Sequence, residues 1–315
     1  MKVKVDIYSG FLGAGKTFLM KKLINEGIYE NNIAIIENEF GEVSIDGEIL
    51  RESNIEVKEI NSGCICCEVT GDFKEGIFEV INKYNPRRIL IEPSGVAKLT
   101  DILKVFKDEE ISEKVKLENV ITVIDPEKFD SYIENFKSFY EDQIRNTKKI
   151  VLSRTQNINN KKLNEIIEKI KKINSRAVIL AEPWNSLKGE EVLEANPIKK
   201  FIIKESKFSK GVLSRQKRVD KKANEVFETI AIYPKSNLSK NELISKFNFI
   251  SRSKSFGDIL RAKGIVKLMD GTSGQFDFVK DEFVIREISG NEKNVISIIG
   301  VKLNKEELGK LFKWG

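Results

Sequence analysis

The chain contains no histidine, and its 315 residues include only three cysteines. The first absence removes the commonest general base and the commonest metal ligand together. Any metal must therefore be held by thiolate, carboxylate or water. Cysteine that is scarce and odd in number argues against a disulfide framework. No apolar run approaches the length of a membrane span. Met1 to Tyr8 alternate apolar and polar residues instead of forming the apolar stretch of a signal peptide. A cytoplasmic location without a membrane partner is the expectation. Internal repeats and low-complexity tracts are also missing. The formal charge is +6, but no aromatic-basic platform accompanies it, so a solvated lysine-rich surface is expected and no nucleic-acid partner.

With 40% hydrophobic and 32% charged residues, the composition is that of an ordinary globular protein, long enough for two domains. Apolar runs at Val3–Tyr8, Ile33–Ile36, Arg88–Ile91, Val120–Ile124, Ile150–Leu152 and Ala177–Leu180 read as buried strands. Stretches of helical period, such as Thr17–Asn25 and Leu163–Ile173, lie between them. The alternation predicts an α/β fold with a mainly parallel sheet and helices on both faces. The assignment is residues 1–204 for this domain and 205–224 for a basic linker. Residues 225–315 form a small α+β domain, with strands at Phe227–Tyr233, Gly264–Leu268, Gln275–Val279, Phe283–Ile288 and Val295–Ile299. Helices are expected at Ser239–Phe247 and Lys305–Phe312.

Gly10-Phe11-Leu12-Gly13-Ala14-Gly15-Lys16-Thr17 fits the phosphate-loop pattern G-x-x-x-x-G-K-[ST], following a strand and opening a helix. Such a loop wraps an anion in backbone N–H groups, and the helix N-terminus adds partial positive charge. Gly10, Gly13, Ala14 and Gly15 are the expected cradle. Lys16 is expected to reach the β- and γ-phosphates, and Thr17 to place its hydroxyl on Mg²⁺. Arg88–Gly95 supplies a second element, an apolar strand ending in Glu92 with Gly95 three residues on. Glu92 is the expected magnesium carboxylate, and Gly95 a donor to the γ-phosphate.

All three cysteines fall within Cys64-Ile65-Cys66-Cys67. Three thiolates in four residues after Gly63 can share a soft cation, yet they are one ligand short of a closed tetrahedral zinc site. An incomplete set suits metal that is handed onward, although a redox thiol pair and an inert turn are alternatives. Glu37 or Glu42, in the acidic loop after the second strand, is a candidate to complete the set, while Glu39 is placed to face magnesium.

In order and spacing, the phosphate loop, Glu37-Asn38-Glu39-Phe40-Gly41, Gly63–Cys67, Glu92–Gly95 and Leu260-Arg261-Ala262-Lys263-Gly264 resemble the CobW family of GTP-dependent metallochaperones. These are relatives of the urease and hydrogenase maturation GTPases. The resemblance spans nearly the whole chain. It implies a GTPase domain, a CobW-type C-terminal domain, and zinc, cobalt or another transition metal at the cysteine turn. It also implies delivery to a client metalloenzyme, or a role in a cofactor pathway such as cobalamin metabolism. Slow intrinsic GTP hydrolysis is expected, and a homo-oligomer stands among the candidate partners.

Two departures from the family pattern stand out. There is no histidine with which to build a metal-storing segment. Where such GTPases read guanine with an N-K-x-D-like turn, this chain has Ser153-Arg154-Thr155-Gln156. Arg154 can stack on a purine, but Gln156 offers one acceptor and one donor in place of a carboxylate. GTP is expected ahead of ATP. The rival readings are a P-loop kinase and a non-hydrolysing nucleotide-dependent scaffold with redox or structural cysteines. The second domain shows no catalytic constellation in its sequence, and partner recognition is assigned to it.

Overall fold

A computed structural model of the protein describes residues 2–29, 32–38, 56–60, 70–194, 222–280, 282–288 and 293–313. In the first part, β1 (Val3–Gly10) leads through the phosphate loop to α1 (Lys16–Asn25) and β2 (Ile33–Asn38). After β3 (Glu56–Ile60) come α2 (Thr70–Tyr84), β4 (Arg88–Glu92), α3 (Leu99–Val105) and α4 (Glu109–Lys114). Then follow β5 (Val115–Ile124), α5 (Phe129–Arg145), β6 (Lys149–Leu152), α6 (Asn160–Ile173), β7 (Val178–Leu180) and α7 (Gly189–Leu193). The seven strands form one parallel sheet in the order β3-β2-β4-β1-β5-β6-β7. The α/β expectation holds.

The central stretches of these strands, such as Ile33–Ile36 and Ile89–Ile91, read as apolar runs because both sheet faces are covered. Ile7, Ile36, Ile89 and Ile91 pack on one face with Phe73 and Ile77 of α2. Tyr8, Ile35 and Leu90 pack on the other with Leu19, Met20 and Leu23 of α1. Each such buried side chain contributes roughly 1.5–3 kcal/mol relative to exposure. The sequence does not mark β3, whose five residues, Glu-Val-Lys-Glu-Ile, carry two acids and a lysine.

The second part contains β8 (Glu228–Ile232), α8 (Lys240–Arg252), β9 (Asp258–Lys267), β10 (Ser273–Val279), β11 (Glu282–Ile288), β12 (Val295–Val301) and α9 (Lys305–Lys313). Its sheet has the order β11-β10-β9-β12-β8, with antiparallel pairing between neighbours. The α+β expectation holds here, with one correction. β9 begins at Asp258, six residues before the expected Gly264, so Arg261-Ala262-Lys263-Gly264 lies inside a strand. Its polar residues conceal the strand because they belong to a face that is buried against the first part. Most of the expected linker, residues 205–221, lies outside the described residues.

The two parts share a core. Phe227, just before β8, meets Phe136 and Phe139 of α5 at centroid distances of 5.4 and 5.0 Å, and Phe11 of the phosphate loop at 6.1 Å. Ile299 of β12 and Ala223 join the same cluster. Aromatic pairs at such distances add about 0.5–1.5 kcal/mol each beyond area burial.

Candidate nucleotide and metal site

Parallel strands end on one edge, and in open α/β sheets ligands settle outside those carboxyl ends where the strand order reverses. Here β1 occupies that position, between β4 and β5. The phosphate loop leaves β1 at Gly10, Glu92 closes β4, Asp125 follows β5, and Ser153 follows β6.

The loop has the conformation that its glycines allow. Gly13 and Gly15 have φ values of +70° and +101°, in the left-handed region that L side chains rarely adopt. A Cβ at Gly13 would also stand 2.6 Å from Val279 Cγ1, and one at Gly15 would stand 3.2 Å from Trp184 Cη2. Gly15 caps α1 without a side-chain hydrogen bond, and the first turn carries no acid. The donors at this helix end therefore face a site suited to an anion. Ala14 is buried, and its N–H closes the turn onto the Phe11 carbonyl at 3.2 Å.

Lys16, Thr17 and Glu92 are all buried and come together. Thr17 Oγ1 donates to Glu92 Oε1 at 3.1 Å, and Lys16 Nζ lies 3.7 Å from the same oxygen. A hydroxyl and a carboxylate at this separation are hard oxygen donors of the kind Mg²⁺ takes alongside phosphate oxygens, so the pair fits that ion. Gly95 packs against the Leu12 backbone. Gln143 Nε2 holds the turn by donating to the carbonyls of Gly95 and Ala97 at 3.1 and 2.9 Å.

Glu37, on β2, is buried and sits in register beside Glu92, so two carboxylates stand side by side at the strand ends. β3 pairs with β2 in parallel and ends at Ile60 on the same edge. Cys64, Cys66, Cys67, Glu39 and Glu42 lie outside the described residues. Among the described residues no cluster of three metal-ligating side chains occurs.

Arg154 has a left-handed backbone (φ 53°) and turns its guanidinium toward the phosphate loop. Nη1 donates to the Gly13 carbonyl at 3.0 Å and to Asp125 Oδ2 at 3.1 Å, while Nη2 grips both oxygens of Glu282 at 3.1 and 3.0 Å. Burial raises the Asp125 carboxyl above its ordinary range, with Arg154 opposing that shift. Gln156 is exposed on a short 3-10 turn and does not line the cleft over the loop.

That cleft has a second wall that the sequence reading missed. A cavity of about 120 Å³ runs between Gly13, Lys16 and Glu92 on one side and Arg261, Lys263 and Asp277 on the other. Trp184 was missed as well; its Nε1 donates to the Leu152 carbonyl at 2.9 Å and its ring lies against Gly15. Arg261 and Lys263 stood out in the sequence only as part of the Leu260–Gly264 motif, with no place in a site, while Asp277 and Trp184 carried no signal beyond their residue type.

A parallel sheet whose strand-end edge carries a phosphate loop, with a lysine, a threonine and a carboxylate converging, defines the P-loop nucleotide-binding class. Residues 4–181 match the model of the CobW/HypB/UreG nucleotide-binding domain. The chain belongs to the CobW/HypB/UreG family. It is 29% identical to the zinc chaperone YjiA of Escherichia coli, over 56% of each chain. It is 40% identical to the zinc chaperone CobW of Pseudomonas aeruginosa, over 39% of this chain and 36% of that one. A further relative, zinc-regulated GTPase metalloprotein activator 1 of Dictyostelium discoideum, is 24% identical over 84% of this chain and 62% of its own length. The chain thus spans between about a third and two thirds of the length of these curated relatives. The crystal structure of Zn(II)-bound YjiA GTPase aligns with a TM-score of 0.42 at 22% identity, covering 99% of this chain and 98% of that one. No described helix is long and apolar enough to cross a membrane.

Proposed function

We propose that the protein is a nucleotide-dependent metal chaperone that binds and hydrolyses GTP and couples this to a transition metal held at Cys64, Cys66 and Cys67. It has two domains, residues 1–204 and 225–315. The observation that carries this reading is the shared strand-end edge. Thr17 and Glu92 form an oxygen pair one strand away from Glu37, and the chain leaves the same edge at Ile60, four residues before Cys64. The cargo is zinc, as the names of the relatives suggest, or cobalt, with Glu37 or Glu42 completing the thiolate set. A client metalloenzyme or cofactor-pathway protein receives it.

In this reading the loop N–H groups of Gly13 and Gly15 hold the β-phosphate, with Ala14 closing the turn between them, and Lys16 neutralises the β- and γ-oxygens. Thr17 and Glu92 would hold Mg²⁺, which when bound offsets charge on the transferring phosphoryl group. Gly95 donates its N–H toward the γ-phosphate. Arg154 braces the loop through the Gly13 carbonyl while its stem, with Gln156, meets the base.

The test is zinc and cobalt affinity of the reduced protein, measured against a chelating competitor without nucleotide, with Mg²⁺·GDP, and with a non-hydrolysable Mg²⁺·GTP analogue. One-to-one binding that changes with nucleotide and disappears in Cys66→Ser/Cys67→Ser is the expected result. Weak binding indifferent to both would remove the metal from this reading.

A further inference from the structure

The face that the second sheet turns toward the phosphate loop carries more charge than packing requires. Arg261 and Lys263 of β9 alternate onto that face, Asp277 of β10 stands opposite Lys263 in the register, and Val279 stands opposite Arg261. Arg261 and Lys263 are buried, whereas the Asp277 side chain is 40% exposed and lines the cleft with Lys16. Arg261 Nε and Nη2 donate to the two Asp277 oxygens at 3.2 and 2.7 Å. Burial would raise the Asp277 carboxyl, but Arg261, Lys263 and, from across the cleft, Lys16 outweigh it and hold it below the ordinary range. One carboxylate therefore sits in the field of three cations contributed by both domains.

A cross-strand ion pair on an open sheet face adds little, and burying such charges is costly unless something needs them. The cleft supplies that need. Thr17 and Glu92 mark where the magnesium end of a triphosphate must lie, and Asp277 shares that cavity. At about 120 Å³ the cavity falls well below the roughly 300–1,000 Å³ of small-molecule pockets. A triphosphate entering so narrow a cleft meets this wall, and the groups it meets there include Asp277 and its cations.

We propose, resting on the nucleotide reading above, that Arg261 and Lys263 are phosphate-binding residues of the same site, and that Asp277 is the counter-ion a triphosphate displaces. The second domain thereby distinguishes triphosphate from diphosphate. The γ-phosphate takes the guanidinium from Asp277, whereas GDP leaves the Arg261–Asp277 pair closed. Because Val279 neighbours both this pair and Gly13, the exchange is registered where the two domains touch.

The test titrates full-length protein with fluorescent GDP and with a non-hydrolysable GTP analogue, both in Mg²⁺. Arg261→Gln is expected to weaken the triphosphate analogue about tenfold or more while GDP stays within about twofold, since one charge-assisted contact is lost. Asp277→Asn is expected to move the ratio the other way, by about threefold or more, because the competing acceptor is neutralised. This second variant guards against mistaking a misfolded Arg261→Gln for a true effect. Ratios unchanged in both variants, or equal losses for both nucleotides in Arg261→Gln, overturn the proposal while leaving the nucleotide reading intact. Wild-type protein that binds neither nucleotide overturns both.

Discussion

The two halves of this molecule assemble charge in opposite ways. In the first, the charged and polar groups at the site come from short segments at or after strand ends, and Lys16, Thr17 and Glu92 are announced by their neighbours in sequence. In the second, they come from alternate residues of two paired strands, and Arg261 and Asp277 meet across a ladder after a separation of sixteen residues. A loop motif is legible because a loop has to change direction at fixed places, which demands glycine at positions such as 13 and 15. A strand face imposes no such punctuation. Its polar members look like the solvated side of any half-buried sheet.

The contrast is most sharply broken by Lys16→Ala. If the first half alone supplies the indispensable contact, this variant loses nucleotide affinity by about a hundredfold or more, for diphosphate and triphosphate alike. Isothermal titration checks it, and an unchanged affinity would refute the assignment of the loop.

An effect of comparable size, on stability rather than binding, concerns the junction of the halves. Phe227 is 1% exposed and touches three aromatic rings of the first half. Phe227→Ala is expected to cost about 3–5 kcal/mol in denaturant unfolding. A cost below about 1 kcal/mol would mean that the halves are only loosely docked.

Lys149 tests whether the first half ties down its own end. Its Nζ donates to the carbonyls of Val192 and Glu194, and burial pushes its pKa down to about 8 from 10.5, with Asp6 and Glu194 opposing. Between those values the unfolded chain binds more protons than the folded one, so stability rises with pH across that window, by up to about 3 kcal/mol. Lys149→Met should flatten that rise when unfolding is followed from pH 8 to 10.5.

The smallest effect is expected at Glu282→Gln. The Arg154–Glu282 pair bridges the halves, but Glu282 is 40% exposed, so solvent screening limits the loss to below about 1 kcal/mol. The difference should vanish in high salt.

How far the sequence could be read follows from the same contrast. The parallel sheet was legible because runs such as Ile33–Ile36 and Ile89–Ile91 are apolar on both faces. Lys16, Thr17 and Glu92 were legible because they close a loop or a strand. β3 was not, since an edge strand can carry Glu56, Lys58 and Glu59 without an apolar signature. The start of β9 was hidden by Arg261 and Lys263, charges whose burial beside the cleft no stretch of neighbouring sequence shows. Asp125 and Trp184 follow strands as single residues, and nothing in their immediate neighbours shows that they brace the loop.

One consequence of the shared aromatic cluster concerns dissection of the protein. A fragment ending before Ala223 would leave Phe136, Phe139 and the phosphate loop's own Phe11 without Phe227, Ile299 and Ala223 against them. Uncovered rings of this kind make an adhesive patch. Phe11 would lose a neighbour while sitting between Gly10 and Gly13, in the loop that must stay still to grip an anion. Such a fragment is expected to self-associate and to hold phosphate poorly, with every motif residue present. The nucleotide-binding unit that works is therefore larger than the segment in which its motifs are written.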